Sequence, residues 1–202
     1  VGRVFTGLRQ QAVSVVTRAA AVAGIPVRKR TSDRVVLEET ILPYFAAKAD
    51  VSDILFVGCD WYTAHYSKLF RGKNYWTIEP DPAKSVFGAK QHVVDSLENL
   101  GRYFTSGQFD LILCNGVYGF GLDSEVQCET AFNNCYVCLR NLGELVLGWN
   151  DTPDRTPVPL NQLQSLSKFH PSHFPPLATW RYRTDTPHRH VYDFYVKPTG
   201  AA

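Results

Sequence analysis

Four groups of small or polar residues stand directly after short apolar runs, and their types suit a nucleotide-like ligand. Gly58-Cys59-Asp60-Trp61-Tyr62-Thr63 follows Ile54-Leu55-Phe56-Val57, and Glu79 and Asp81 follow Tyr75-Trp76-Thr77-Ile78. Asp95-Ser96 follows the run over residues 91–94, and Asn115-Gly116-Val117-Tyr118 follows Phe109-Asp110-Leu111-Ile112-Leu113-Cys114. Glu79 lies 21 positions after Gly58. That matches the ~20-residue offset at which a carboxylate accepts hydrogen bonds from both hydroxyls of a ribose. A glycine at a strand–helix turn and this acid together point to a nucleoside-containing cofactor, whereas any one of these residues alone is also ordinary loop composition.

The elements around these residues specify the fold class. Val4, Leu8, Ala12, Val15, Val16, Ala19 and Val22 recur at three- and four-residue intervals, the stripe of an amphipathic helix ended by Gly24-Ile25-Pro26. A basic connector at residues 28–33 leads to a second helical stretch over 34–45, bent at Pro43. From Asp53 the pattern changes to continuous apolar runs, which read as strands buried on both faces. A short helix is expected at 64–70, with strands at 75–78, 91–94 and 109–114. A long helix capped by Ser124 and Gln127 carries Cys128, Ala131, Phe132, Cys135, Cys138, Leu139 and Leu142 on its apolar side, with Gly143 as its stop. A strand at 144–149, a helix at 160–169, and two runs at 179–184 and 190–197 complete the chain; the last two are close enough to pair antiparallel. Such alternation predicts an α/β, doubly wound, mostly parallel seven-stranded sheet with an antiparallel C-terminal hairpin, plus N-terminal helices. Residues 1–48 read as a helical extension or cap, and 49–202 as the sheet domain. Ligands of such sheets bind beyond the carboxyl ends of the strands, where the four groups fall.

Composition narrows the function classes. The 202 residues hold 21 Lys and Arg against 19 Asp and Glu, a net charge of +2 with no basic block, so no nucleic-acid partner is expected. No run reaches the ~18 apolar residues of a membrane span, so no membrane partner is expected either. Arg3 and Arg9 before an Ala/Val run imitate a signal peptide, but Arg18 interrupts that run and no cleavage site follows. Five cysteines at no disulfide spacing suit a reducing compartment, and a cytoplasmic location is expected. The chain opens on Val1 and contains no Met, so residues upstream are expected. Cys135 and Cys138 share the apolar side of one helix with Cys128 and lack further ligands nearby, so they read as buried small hydrophobes and no metal site is expected.

The order of the motifs resembles the class I S-adenosylmethionine-dependent methyltransferases over residues 41–197. The marks are Asp53-Ile54-Leu55-Phe56-Val57-Gly58-Cys59, Tyr75-Trp76-Thr77-Ile78-Glu79-Pro80-Asp81, Val93-Val94-Asp95-Ser96-Leu97, Phe109 to Val117, and Leu142-Gly143-Glu144-Leu145-Val146-Leu147. The resemblance implies S-adenosylmethionine as cofactor, held by Gly58, Cys59, Asp60, Trp61, Tyr62, Glu79, Asp81, Asp95, Ser96, Leu97, Asn115 and Gly116. In particular, it implies the Gly58 backbone against the methionine moiety, Glu79 on the ribose and Asp95 on the adenine amine. It further implies the Ser96-Leu97 backbone on the ring edge and Asn115 near the transferred methyl. The chain departs from the family where Phe56 replaces an acid and where Asp60 and Tyr62 replace glycines, which crowds the first turn. The Asn-Pro-Pro-aromatic signature of exocyclic-amine methylation is absent after the fourth strand.

Methyl transfer to an oxygen or nitrogen of a small-molecule acceptor is then the expected activity. A protonated acceptor needs a base, and His65, His170 and His173 are the candidates, each of which could equally be a surface or turn residue. Tyr62 and Tyr118 are candidates to line the acceptor pocket, since aromatic faces attract a cationic methyl donor. His188 and His190 flank a turn and are expected to be solvated. Two other readings share the ribose-binding acid or the fold: a nicotinamide-dependent oxidoreductase and a non-catalytic scaffold. The first needs glycines where Asp60 and Tyr62 stand, and its Tyr44-x-x-x-Lys48 pair precedes the first strand, far from the matching position in short-chain dehydrogenases.

Overall fold

A computed structural model describes residues 16–23 and 25–199. Five parallel strands form its centre: β1 (Asp53–Val57), β2 (Asn74–Ile78), β3 (Gln91–Val93), β4 (Phe109–Asn115) and β5 (Leu139–Asn150). β6 (His170–Pro171), β7 (Arg181–Arg183) and β8 (His190–Val196) follow, with β6 and β7 both antiparallel to β8. The sheet order is β3-β2-β1-β4-β5-β8-β6. Both the parallel sheet and the closing antiparallel hairpin agree with the sequence expectation, and the two-residue β6 is additional. Pro171 is tolerated there because an edge strand needs no second ladder donor.

Strands β1 and β4 are buried on both faces, as their uninterrupted apolar runs require. One core packs Leu55, Ile112 and Leu145 against the long helix. The other packs Ile54, Phe56, Leu113 and Phe194 against Leu37, Ile41 and Phe45. After α1 (Ser32–Val36), Leu37 and Ile41 lie in a π-helical segment Leu37–Ile41 and Phe45 lies in α2 (Leu42–Ala47). The expected bend at Pro43 takes this form: the ring nitrogen cannot donate to the preceding turn, and the wider turn ends where Pro43 begins the next helix.

Other boundaries differ from expectation. The segment 64–70 is not a helix but turns and a 3-10 stretch at Tyr66–Lys68. The Thr63 hydroxyl donates to the Asp60 carbonyl and accepts from the Asp60 N–H, a local arrangement that competes with helical pairing. α3 (Glu125–Cys138) has the expected Ser124 cap, the hydroxyl accepting from the Gln127 N–H, and buries Cys128, Ala131, Phe132, Cys135 and Cys138. It stops earlier than Gly143, because Leu139 is already extended and pairs with Phe109. The positive φ falls on Leu142, at 62°, and its side chain is exposed. The helix expected over 160–169 is reduced to α4 (Gln164–Ser167) after a 3-10 turn.

Val4, Leu8, Ala12 and Val15 of the first expected helix lie outside the described residues. Residues 16–22 are helical, but Val16 and Val22 face solvent. Ala21 is the buried residue instead, packed with Cys59 and Phe87, where the close approach suits a small side chain. Among the described residues no helix is long and apolar enough to cross a membrane.

Candidate functional site

A cavity of about 500 Å³ opens at the carboxyl ends of β1, β2, β3 and β4. This is within the range of small-molecule sites, roughly 300–1,000 Å³. Gly58 begins it with φ +85°, a conformation that side chains rarely adopt, and its N–H donates to the Ile78 carbonyl at 2.9 Å. The chain turns sharply enough there for the Cys59 N–H to donate to Glu79 Oε2 at 3.0 Å. On the other oxygen, Glu79 Oε1 accepts from the Asp81 N–H at 3.1 Å. A carboxylate has about four acceptor positions, so two remain for hydroxyl donors.

Ten of the twelve residues expected to touch a cofactor line this cavity: Gly58, Cys59, Asp60, Tyr62, Glu79, Asp95, Ser96, Leu97, Asn115 and Gly116. Trp61 and Asp81 do not. Trp61 packs against the cluster of Ala21, Cys59 and Phe87, and Asp81 caps the following turn by accepting from the Ala83 N–H. Asp60 and Tyr62, expected to crowd the first turn, instead form part of the cavity wall. Asp60 sits on the cavity wall with Lys84 Nζ 3.7 Å away. Asp95 accepts from Asn99, Tyr103 and the Ser96 N–H, and these bonds, Asn99 first, hold its carboxyl below the usual carboxylate range.

A second cavity of about 630 Å³ shares Arg34, Tyr62, Asn115, Gly116 and Phe120 with the first. Beyond that common wall it is lined by Asp33, Asn150, Thr152, His188 and His190, among others. Arg34 lies 4.4 Å from the Tyr62 ring centre and Arg155 4.2 Å from that of Phe120, so both rings on the boundary already carry a guanidinium.

The structure relocates the catalytic candidates. His170 pairs with Val196, which is opposite Glu144, where the continuous pairing of β5 with β4 and β8 begins, so it sits at the far edge of the sheet from both cavities. His173 is exposed three residues further on and lines neither. His65 is buried beside Glu38, with Nε2 3.8 Å from the carboxylate, and also lines neither cavity. Burial, then Arg28 and Lys68, lower its pKa. Tyr118 is fully buried and donates its hydroxyl to the Val158 carbonyl; burial pushes its pKa up to about 12.

His190 was expected in solvent and is 4% exposed. It opens β8, and because β8 is antiparallel its first residue pairs with Asn150 at the carboxyl end of β5. Its Nδ1 is 2.7 Å from Asn150 Oδ1 and its Nε2 3.1 Å from Asn115 Oδ1. Burial lowers its pKa to about 4. A neutral imidazole has one N–H, so only one of the two amide oxygens can accept from it. Gly148 makes this contact possible: a Cβ there would occupy the place of the Asn115 amide. Asp33 and Asn115 are also buried, and Asp33 Oδ1 and Asn115 Nδ2 have no hydrogen-bond partner among the described residues. The signal for these residues was the antiparallel sense of the last strand, which places its start, not its end, at the ligand edge.

The strand order and the open carboxyl edge define the class I S-adenosylmethionine-dependent methyltransferase fold. The N-methyltransferase NodS from Bradyrhizobium japonicum WM9, solved with S-adenosyl-L-homocysteine, has TM-score 0.61 and 16% identity, covering 91% of this chain and 99% of that one. A TehB-like SAM-dependent methyltransferase from Corynebacterium glutamicum has TM-score 0.58 and 19% identity over 95% and 99% of the two chains. The [4+2]-cyclase SpnF has TM-score 0.62 and 11% identity over 95% of each chain, so the fold also serves a protein named for other chemistry. No family model matches the sequence, and no curated protein matches it.

Proposed function

We propose that this protein transfers a methyl group from S-adenosylmethionine to an oxygen or nitrogen of a small-molecule acceptor. The observation that carries the reading is the pair of adjoining cavities with Asn115 and Gly116 on their common wall. The first fits the adenosyl group: Glu79 keeps acceptor positions free for two ribose hydroxyls, and Asp95, Ser96 and Leu97 line the wall where adenine would lie. The second cavity would hold the acceptor.

S-adenosylmethionine, when bound, supplies an already activated methyl group. The chain's own task is then to align the acceptor and exclude water. Alignment alone can contribute on the order of 7–11 kcal/mol. Gly58 and Glu79 fix the cofactor end, and Asn115, held by His190, positions the boundary. Tyr62 and Phe120 close the sides, each stiffened by an arginine. The nicotinamide reading is disfavoured by Asp60, whose carboxylate on the first-turn wall would repel a pyrophosphate.

Calorimetry with S-adenosylmethionine, S-adenosylhomocysteine and NAD tests this. Saturable 1:1 binding of the first two and none of NAD is expected. Silence toward both sulfur compounds overturns the reading.

A further inference from the structure

We propose that Asp33, His188 and His190 form a divalent transition-metal site at one side of the second cavity. One carboxylate oxygen of Asp33 and one ring nitrogen of each histidine lie within 4.8 Å of one another. All three residues line the cavity. Asp33 is 94% buried by its 6% exposure, and its Oδ1 has no hydrogen-bond partner among the described residues. A buried carboxylate oxygen left bare costs about 1–3 kcal/mol or more, so its placement needs a reason. The nearest cationic group to the other oxygen is Arg34, with Nε 3.9 Å from Oδ2, which leaves Oδ1 facing the histidines.

The donor atoms, separated by up to 4.8 Å, converge on one ion once the side chains draw in. His188 Nε2 stands 3.8 Å from Asp33 Oδ1. Two donors about 2.1 Å from one ion at tetrahedral angles stand about 3.4 Å apart, so a contraction of a few tenths of an ångström completes the pair. His188 is on a half-exposed turn and can move by that amount. His190 has an asparagine oxygen on each ring nitrogen, so ligation by either nitrogen turns one asparagine aside while the other, Asn150 or Asn115, still holds the ring. Metal-bound histidines need such a partner to fix tautomer and ring orientation. Two imidazoles and one carboxylate favour zinc, iron, cobalt or nickel over magnesium or calcium, and they leave positions open for an acceptor.

The role of the ion rests on the methyl-transfer reading. An acceptor hydroxyl bound to it would ionise, its proton passing to solvent. The oxygen would then form the bond to the methyl carbon as the carbon–sulfur bond breaks, with that electron pair staying on sulfur.

The test titrates chelator-stripped protein with Co²⁺ and follows the visible absorption of the bound ion, then displaces it with Zn²⁺. One equivalent is expected, with affinity falling at least about 100-fold in Asp33→Asn, His188→Gln and His190→Gln. S-adenosylhomocysteine affinity is measured on the same samples. Asp33 and His188 do not line the first cavity, so retained affinity also certifies folding of those two variants, and the melting temperature certifies His190→Gln, whose ring holds Asn115. Absence of saturable Co²⁺ and Zn²⁺ binding, or binding indifferent to the three ligand substitutions, overturns the metal site. If S-adenosylhomocysteine binds in that case, the methyl-transfer reading stands without it. If the ion binds and S-adenosylhomocysteine does not, the site stands and only its role falls.

Discussion

At the amino edge of the parallel strands, Asp110 accepts from the Ser52 and Asp53 N–H groups at 2.7 and 2.8 Å and pairs with Arg140. Beside it, Lys48 pairs with Glu144 at 2.6 Å, and Lys197 Nζ donates to the Leu139 carbonyl at 2.7 Å. At the carboxyl edge, Asp33 Oδ1 and Asn115 Nδ2 are buried with no partner among the described residues, and Gly58 and Gly116 hold positive φ. One edge spends its polar groups on itself; the other keeps them unspent around two cavities. Local rules of satisfaction are expected to fail where a ligand supplies the missing partner; Asp33 Oδ1 and Asn115 Nδ2 line the second cavity, whereas the other buried atoms without a partner among the described residues, on His65, His92 and Ser165, line neither cavity.

Substitutions at the two edges should therefore separate function from stability. The largest functional effect is expected from Gly148→Ala, whose Cβ displaces the Asn115 amide at the boundary between the cavities. A shift of about 1 Å there can cost about 100-fold in methyl-transfer rate. A stopped assay of S-adenosylhomocysteine release should read that loss, with cofactor affinity changed far less. Next, Glu79→Gln removes a charged acceptor worth about 1.5–3 kcal/mol per hydrogen bond, so cofactor affinity should fall about 10–100-fold in calorimetry. Equal affinity in that variant would detach Glu79 from the site.

The opposite pattern belongs to Asp110→Asn. It should lower stability by about 2 kcal/mol at pH 7, or roughly 4–8 °C in Tm, while cofactor affinity stays the same. Burial opposes ionisation of Asp110, but the Asp53 N–H, Arg140 and the Ser52 N–H outweigh it and hold its pKa below the usual value. A depressed carboxyl pKa stabilises the fold above the unfolded value near 3.9, and that contribution is lost as pH falls through the folded value. Wild-type stability should thus drop more steeply than that of the variant below about pH 4. The smallest effect is expected from His170→Ala with His173→Ala. Both are exposed at the closed edge, so rate should stay within about twofold and stability within about 0.5 kcal/mol.

The fold was legible because β1 and β4 are continuous apolar runs, and only a doubly covered sheet needs them so. Ten residues of the first cavity were legible for a related reason, since they follow the carboxyl ends of β1, β2, β3 and β4. The lining of the second cavity was not. Asp33, Asn150, His188 and His190 are far apart in sequence, and the pairing of β5 with β8 and the packing of α1 on Tyr192 bring them together. His190 reads as a turn residue from its neighbours Pro187 and Arg189, whereas its pairing with Asn150 puts it at the ligand edge. His170 precedes a proline on a two-residue edge strand and falls on the closed edge by the same antiparallel logic. The crossover at 64–70 was misjudged because the Thr63 side chain diverts the backbone bonds a helix would use.

The structure of the protein co-crystallised with S-adenosylhomocysteine tests the central claim most directly. The account predicts the ligand in the 500 Å³ cavity, its ribose hydroxyls on Glu79 and its sulfur facing Asn115 and the second cavity. Ligand bound elsewhere, or a cavity without it at saturating concentration, would contradict the account.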